Sequence, residues 1–269
     1  MSDDIRTQYT ELRTATYFQE WAKAKAIIDH APQIVWYKSS HGSFMNGILF
    51  HNNVDMLRYI HNTLIRLGGP VTLQTEMLRA TFEEPESYSC TPAITAAEHG
   101  AVDCLEYLVR ICPSGRDILE VKNRQGENLA HRAAKRSLEC LKFIVNNAPS
   151  GVELLEMKDH YELTPIYNAM RYDRLNCMKF IVDNAPSGVA LLFVKIPYGD
   201  KYVDLLSLAD WKIREYFTPQ RIREIAFDRE YRTLEAQEEL DDYSLPKIIF
   251  GVLRDETELQ ERRANDFQR

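Results

Sequence analysis

Apolar residues recur along the central part of this chain with the spacing of a helix that buries one stripe. Leu105, Leu108 and Val109 share a face in one segment, and Leu141, Ile144 and Val145 share the same face in another. The phrases that carry these stripes are near copies: Cys104-Leu105-Glu106-Tyr107-Leu108-Val109, Cys140-Leu141-Lys142-Phe143-Ile144-Val145 and Cys177-Met178-Lys179-Phe180-Ile181-Val182. Each is followed by a turn phrase, Pro113-Ser114-Gly115, Pro149-Ser150-Gly151 or Pro186-Ser187-Gly188. Each is preceded by a second, shorter helical phrase, opening at Thr91-Pro92, Asn128-Leu129 and Thr164-Pro165. The pattern predicts paired helices repeated with a period of about 36 residues, since repeats of 20 to 50 residues mark stacked units.

The local chemistry supports the pairing. A threonine hydroxyl can cap a free N–H, and proline at the first helical position gives up no hydrogen bond, so Thr91-Pro92 and Thr164-Pro165 are expected helix starts. Small residues such as Ala96-Ala97 and Ala133-Ala134 let a neighbouring backbone approach. Gly100 is expected to stop its helix in a left-handed turn, with Asp173 as its substitute in the third copy. A single pair cannot bury its apolar stripe, so the units must stack side by side.

Through Thr91-Pro92, Thr164-Pro165, the Ala-Ala pairs and the helical His131, the sequence resembles the ankyrin family, whose period is about 33 residues. The resemblance implies an all-α solenoid over residues 1–217, with its best units at 86–196. Fainter copies precede these. Val54 to Ile60 parallels Val102 to Leu108, and Trp21 to Pro32 is expected as a lone outer helix. An insertion near 62–89, with an extra helix over Thr75 to Phe82, breaks the period. Val203 to Phe217 is expected as a closing helix pair with Leu205, Leu206, Leu208, Trp211 and Ile213 as its apolar face. In this family partners are held by finger tips between repeats and by the ends of inner helices. Carried over, that implies Glu98 and His99 in one unit. The next unit contributes Arg124, Gln125, Glu127, Lys135 and Arg136, and the third His160, Tyr161, Leu163, Arg171 and Tyr172. Arg124, Lys135, Arg136 and Arg171 would form a basic, aromatic-edged strip suited to a protein partner with an acidic segment.

Residues 218–269 leave the repeat and are expected as a helical tail. Ile222 and Ala226, with Leu245-Pro246 and then Ile249, Val252 and Leu253, look similar to a SOCS box, although Glu230 and Tyr243-Ser244 depart from that pattern. Such a box would recruit elongin B/C and a cullin and make the chain a substrate receptor of a ubiquitin ligase. An F-box-like tail and a simple capping extension are the other readings.

Charge and composition narrow the function further. The formal net charge of −7 gives no overall electrostatic reason to seek nucleic acid or an anionic membrane. The polar start, Met1 to Leu12, and the absence of a long apolar run set the expectation of a cytosolic or nuclear chain. Five cysteines, none in a Cys-x-x-Cys pair, are expected to be reduced thiols. Cys104, Cys140 and Cys177 hold one repeat position and are expected to form a structural ladder. His41, His51 and His61 match no metal spacing, and no nucleotide-binding, serine-hydrolase or zinc-protease motif is present. The expectation is a non-catalytic binding module without a metal or cofactor.

Overall fold

The computed structural model describes residues 3–36, 43–67, 91–112, 114–198 and 201–236. Two compact units divide the chain, Met1–Ile181 and Val182–Arg269. Among the described residues no helix is long and apolar enough to cross a membrane.

Among the described residues four helix pairs follow one another: α1 (Asp3–Tyr17) with α2 (Trp21–His30), α3 (Met45–Phe50) with α4 (Val54–Arg66), α5 (Pro92–His99) with α6 (Val102–Ile111), and α7 (Leu129–Ala134) with α8 (Leu138–Asn147); α9 (Pro165–Arg171) and then α10 (Leu175–Asn184) come next in the chain. Within the first unit the leading helices α1, α3, α5, α7 and α9 lie side by side in that order. The fold is thus an all-α repeat solenoid. It departs from the sequence expectation at two points here. Trp21–His30 is paired with α1, because Tyr9, Leu12 and Ala15 supply a buried stripe within a segment polar overall. Helix α4 runs to Arg66, carried by Thr63 and Leu64 on its buried face, so the break in period begins after it. The expected helix over Thr75 to Phe82 lies outside the described residues.

Capping chemistry fixes most helix starts. Thr91 Oγ1 accepts the Ile94 N–H at 3.3 Å, with Pro92 in the first turn. Asn53 and Ser137 accept Met56 N–H and Cys140 N–H at 2.9 and 3.2 Å. Thr164 differs from the expectation, since its hydroxyl is buried without a hydrogen bond among the described residues. Asn52 crosses between pairs: its side-chain oxygen accepts the Cys104 N–H at the start of α6, and its amide donates to Asp103 at 2.8 Å. Glu120 likewise reaches the next repeat, accepting both the N–H and the hydroxyl of Ser150. That clasp gives the serine of the Pro149-Ser150-Gly151 turn a role between repeats.

The turn between paired helices is left-handed at Gln19, Asn52, Gly100 and Asp173. At Gly100, with φ of 72°, an added Cβ would stand 2.7 Å from the Ser137 Cβ of the next repeat. Gly100→Ala should therefore lower stability by more than the roughly 1–2 kcal/mol of left-handed backbone strain alone. Asp173→Gly should instead be neutral or gain stability, and urea unfolding of the two variants checks the contrast. Gly47 permits another close approach, since a Cβ there would lie 2.6 Å from the Thr16 carbonyl carbon. Helices α1 and α3 can touch only because it has none.

The core lies between the paired helices, with Leu105, Leu108, Leu141 and Ile144 fully buried. Cys104, Cys140 and Cys177 are buried thiols without disulfides. Burial pushes them up to about 12, about 12 and about 11, so they stay protonated and inert at neutral pH. Cys90 lies outside the described residues.

In the second unit a hairpin takes in Val203 and Asp204, the first two residues of the expected closing helix pair. Lys195–Tyr198 (β1) and Lys201–Asp204 (β2) form an antiparallel hairpin in register Lys195↔Asp204 to Tyr198↔Lys201. Ile196, Tyr198, Tyr202 and Val203 favour strand, and Gly199-Asp200 between them is a hairpin signal in the sequence. A 3-10 turn over Leu205–Leu208 and the short α11 (Trp211–Tyr216) follow. Leu205 and Ile213 are buried as expected of an apolar face, whereas Trp211 is 60% exposed. The last described helix is α12 (Pro219–Ala236).

Candidate functional site: the ends of the leading helices

Each leading helix ends in two residues just before the turn into its partner. They are Tyr17-Phe18 on α1, Phe50-His51 on α3, Glu98-His99 on α5 and Arg171-Tyr172 on α9. The α7 unit places Lys135-Arg136 there, with a turn one residue shorter. Contacts link all five ends into one strip. The Tyr17 and Phe50 rings stack at 6.1 Å, and Phe50 meets the His99 ring edge-on at 5.0 Å. The His51 ring Nε2 lies 2.8 Å from the Tyr17 carbonyl. Glu98 pairs with Arg132 at 2.9 Å, and the Lys135 ammonium stands 5.9 Å from the Tyr172 ring centroid.

Beneath the strip lies a buried polar node. The Glu127 carboxylate pairs with Arg132 at 2.6 Å and with Lys135 at 2.9 Å, and it accepts from Asn123 at 2.8 Å and Asn168 at 3.3 Å. Burial pushes its carboxyl up, but the Arg132 and Lys135 cations outweigh that and hold it below the usual 4.5. His131, fully buried, spans two repeats. Its Nε2 lies 2.9 Å from the Leu163 carbonyl, while Nδ1 takes the Asn128 N–H in a reciprocal cap. Burial lowers its pKa, so the neutral imidazole is the native form.

The fingers are tied to one another as well. The His160 N–H donates to the Gln125 carbonyl at 2.8 Å, and the His160 ring packs on Gly126, where a Cβ would stand 2.6 Å from it. Asp159 accepts the N–H groups of Tyr161 and Leu163, which shapes the third finger.

These contacts sort the residues inferred from sequence. Arg124, Arg136, Arg171, His160, Tyr161 and Tyr172 are exposed, and Tyr161 is 63% so. Arg124, Arg136 and Arg171 make no ion pair with any described carboxylate. Glu98 and His99 are half-buried at the middle of the strip. Burial lowers the His99 pKa, Glu98 opposes this, and Arg136 and His51 reinforce it. Glu127 is a correction: at 7% exposure it faces inward, because two cations and two amides claim its oxygens. Lys135 gives most of its charge to that carboxylate. Gln125 and Leu163 serve mainly through carbonyls used within the fold. Sequence reasoning missed Tyr17, Phe18, Phe50 and His51. Counting back from the left-handed turn residues Gln19 and Asn52, as from Gly100, would have found them.

In the C-terminal helix Ile222 is 2% exposed and Ile225 is 9% exposed, and α12 packs on the 3-10 helix Gly188–Phe193 of its own unit. Ala226 is half-buried, and Phe227 is 67% exposed. Leu245, Pro246, Ile249, Val252 and Leu253 lie outside the described residues.

No curated protein matches the chain by sequence. Among solved structures, a chain from the complex of the Bd0816 predatory endopeptidase of Bdellovibrio bacteriovorus with immunity protein Bd3460 is similar in fold. It has a TM-score of 0.52 at 17% identity, covering 79% of this chain and 96% of that one. The family model for ankyrin repeats matches residues 93–190 in three copies. With the left-handed turns at Gly100 and Asp173, the reciprocal cap at Asn128 and the bonded fingers falling in that span, residues 93–190 are three successive ankyrin repeats.

Proposed function

We propose that this chain is a non-catalytic module that binds a protein partner through an acidic segment laid across the leading-helix ends of its repeats. The observation that carries the reading is the contrast among its cations. Arg132 and Lys135 are neutralised by Glu98 and Glu127, whereas Arg136 and Arg171, on successive repeats of the same strip, are exposed and unpaired with any described carboxylate. Arginine is the cation best suited to bidentate carboxylate recognition. The chain is acidic overall, so this local inversion of charge gives specificity rather than general attraction. The neighbour of similar fold was solved in a complex of two proteins, which agrees with the class of function and names no partner for this chain.

The test is isothermal titration of the partner, once recovered by proximity labelling, against the wild type and Arg136→Glu/Arg171→Glu. Affinity should fall by about tenfold or more per reversed charge, equivalent to about 1.4 kcal/mol each. Wild-type affinity should also weaken as salt rises. Equal binding by both proteins at all salt concentrations would sink the reading. Recruitment of elongin B/C and a cullin by the C-terminal helix draws no support from Ile222, whose side chain is already buried within its own unit.

A further inference from the structure

The strip is chemically graded along its length. Its first two positions carry Tyr17, Phe18 and Phe50, exposed at 58%, 66% and 42%, while its last two carry Arg136 and Arg171. Other exposed apolar residues, such as Ile65 and Val152, make no ring contact with this group. Tyr17 joins the three rings: it meets Phe18 edge-on at 5.4 Å and stacks with Phe50 at 6.1 Å. Exposed apolar surface held together in this way marks interaction sites, and rings locked before binding lose little entropy on contact. Beside them Arg13, Tyr17, Phe18 and Asn46 line a cleft of about 460 Å³ between α1 and α3, floored by Gly47.

We infer that the partner segment is bipartite, with an aromatic or aliphatic anchor seated on the Tyr17–Phe18–Phe50 platform and a carboxylate reaching Arg136. This rests on the acidic-segment reading above and adds to it the anchor and the spacing. From the end of α3 to the end of α7 is two helix-to-helix steps of about 9 Å. An extended chain covers that roughly 18 Å in about five or six residues at ~3.3 Å each. A second carboxylate about three residues further on would meet Arg171. The half-buried Glu98 and His99 lie between the two halves, so the intervening residues need carry no charge.

The test is selection from a displayed library of random 12-residue peptides on the full chain, on Tyr17→Ala/Phe50→Ala, and on Arg136→Glu/Arg171→Glu. Circular dichroism melting confirms that each variant is folded, and Phe18→Ala serves as the milder platform variant. Peptides enriched on the wild type should pair an apolar residue with Asp or Glu five or six positions away. On the platform variants the apolar requirement should vanish while the acidic one persists, and individual selected peptides should bind at least tenfold more weakly. Acidic enrichment without an apolar anchor, or at random spacing, overturns this inference and leaves the acidic-segment reading intact. Loss of acidic enrichment overturns both. A wild-type dimer on size exclusion that becomes monomeric in Tyr17→Ala/Phe50→Ala would also overturn it, because the platform would then face a second copy.

Discussion

Glu127→Gln should lower the unfolding free energy by about 3 kcal/mol at pH 7, the cost expected when one member of a buried ion pair is removed and the other stays buried. The substitution keeps the side-chain volume and an acceptor for Asn123, so the loss reports charge. Arg132, with 5% of its side chain exposed, would lose its buried carboxylate and keep Glu98, which is itself 37% exposed, and the neutral Gln125 side-chain oxygen at 3.3 Å. Lys135 can swing toward water, which is why the effect should fall at the low end of the 3–5 kcal/mol range for such deletions. Replacing Glu127 and Arg132 together by methionine should recover much of the loss, since a well-packed apolar pair pays no desolvation. Urea unfolding of the two variants and the wild type decides the matter. A loss below about 1 kcal/mol for Glu127→Gln would mean that water already screens the node. The carboxyl also sets a pH limit. Its native pKa lies below the usual 4.5, so its stabilising contribution is complete above about 4.5 and declines as pH falls through the lower native value.

The repeated part of this structure was legible because its signals are local and recur. Thr91-Pro92, Gly100, the Cys104–Cys140–Cys177 position and the Pro-Ser-Gly turns each specify a cap, a turn or a buried position within a few residues. The first repeats were harder to read because Asn52 and Gln19 occupy left-handed turns where glycine is expected. Asn52 is retained there for a second task, capping the neighbouring helix, which only the assembled stack displays. Helix was expected from Val203 because that residue adjoins the apolar run of Leu205 to Leu208, whereas Val203 and Asp204 close the hairpin. The Gly199-Asp200 pair held the opposite signal.

The candidate site shows the same division. That the leading-helix ends face outward could be carried over from the resemblance, and Arg136, Arg171 and Tyr172 stand there. Which charges remain available could not be carried over, because Glu98 of the preceding repeat meets Arg132 only after stacking, and Glu127 pairs with both Arg132 and Lys135. An acidic residue at a finger base looks like a contact residue in sequence and is the centre of a buried network in the fold. The aromatic half of the strip escaped notice for a related reason. Tyr17 and Phe50 are ordinary as single exposed residues, and only α1–α3 contact over Gly47 makes them a platform.

His131→Leu should cost roughly 2–4 kcal/mol, because it leaves the buried Asn128 N–H unpaired at about 1–3 kcal/mol and removes, at about 1 kcal/mol, the imidazole's bond to the Leu163 carbonyl, which keeps the Asp159 N–H at 2.9 Å. The same residue governs how the wild type responds to mild acid. Its native pKa is lowered by burial, an effect the Leu163 carbonyl, Asp159 and Glu127 only partly offset, whereas the unfolded chain titrates near 6.5. Below about pH 6.5 the unfolded state therefore takes up a proton that the native state refuses, and stability falls. His61 and His99, also lowered by burial, act in the same direction. Wild-type stability should thus be flat above about pH 7 and drop as pH passes from about 6.5 toward 5, well before the carboxylates protonate. His131→Leu should be less stable at every pH and show a shallower fall across that window, with the remainder due to His61 and His99. Thermal melts of both proteins at half-unit pH steps measure this directly. Parallel curves would place the acid sensitivity elsewhere and show that protonated His131 is accommodated. A shallower curve for the variant would make the histidine that joins the second and third ankyrin repeats the point at which mild acid loosens the stack.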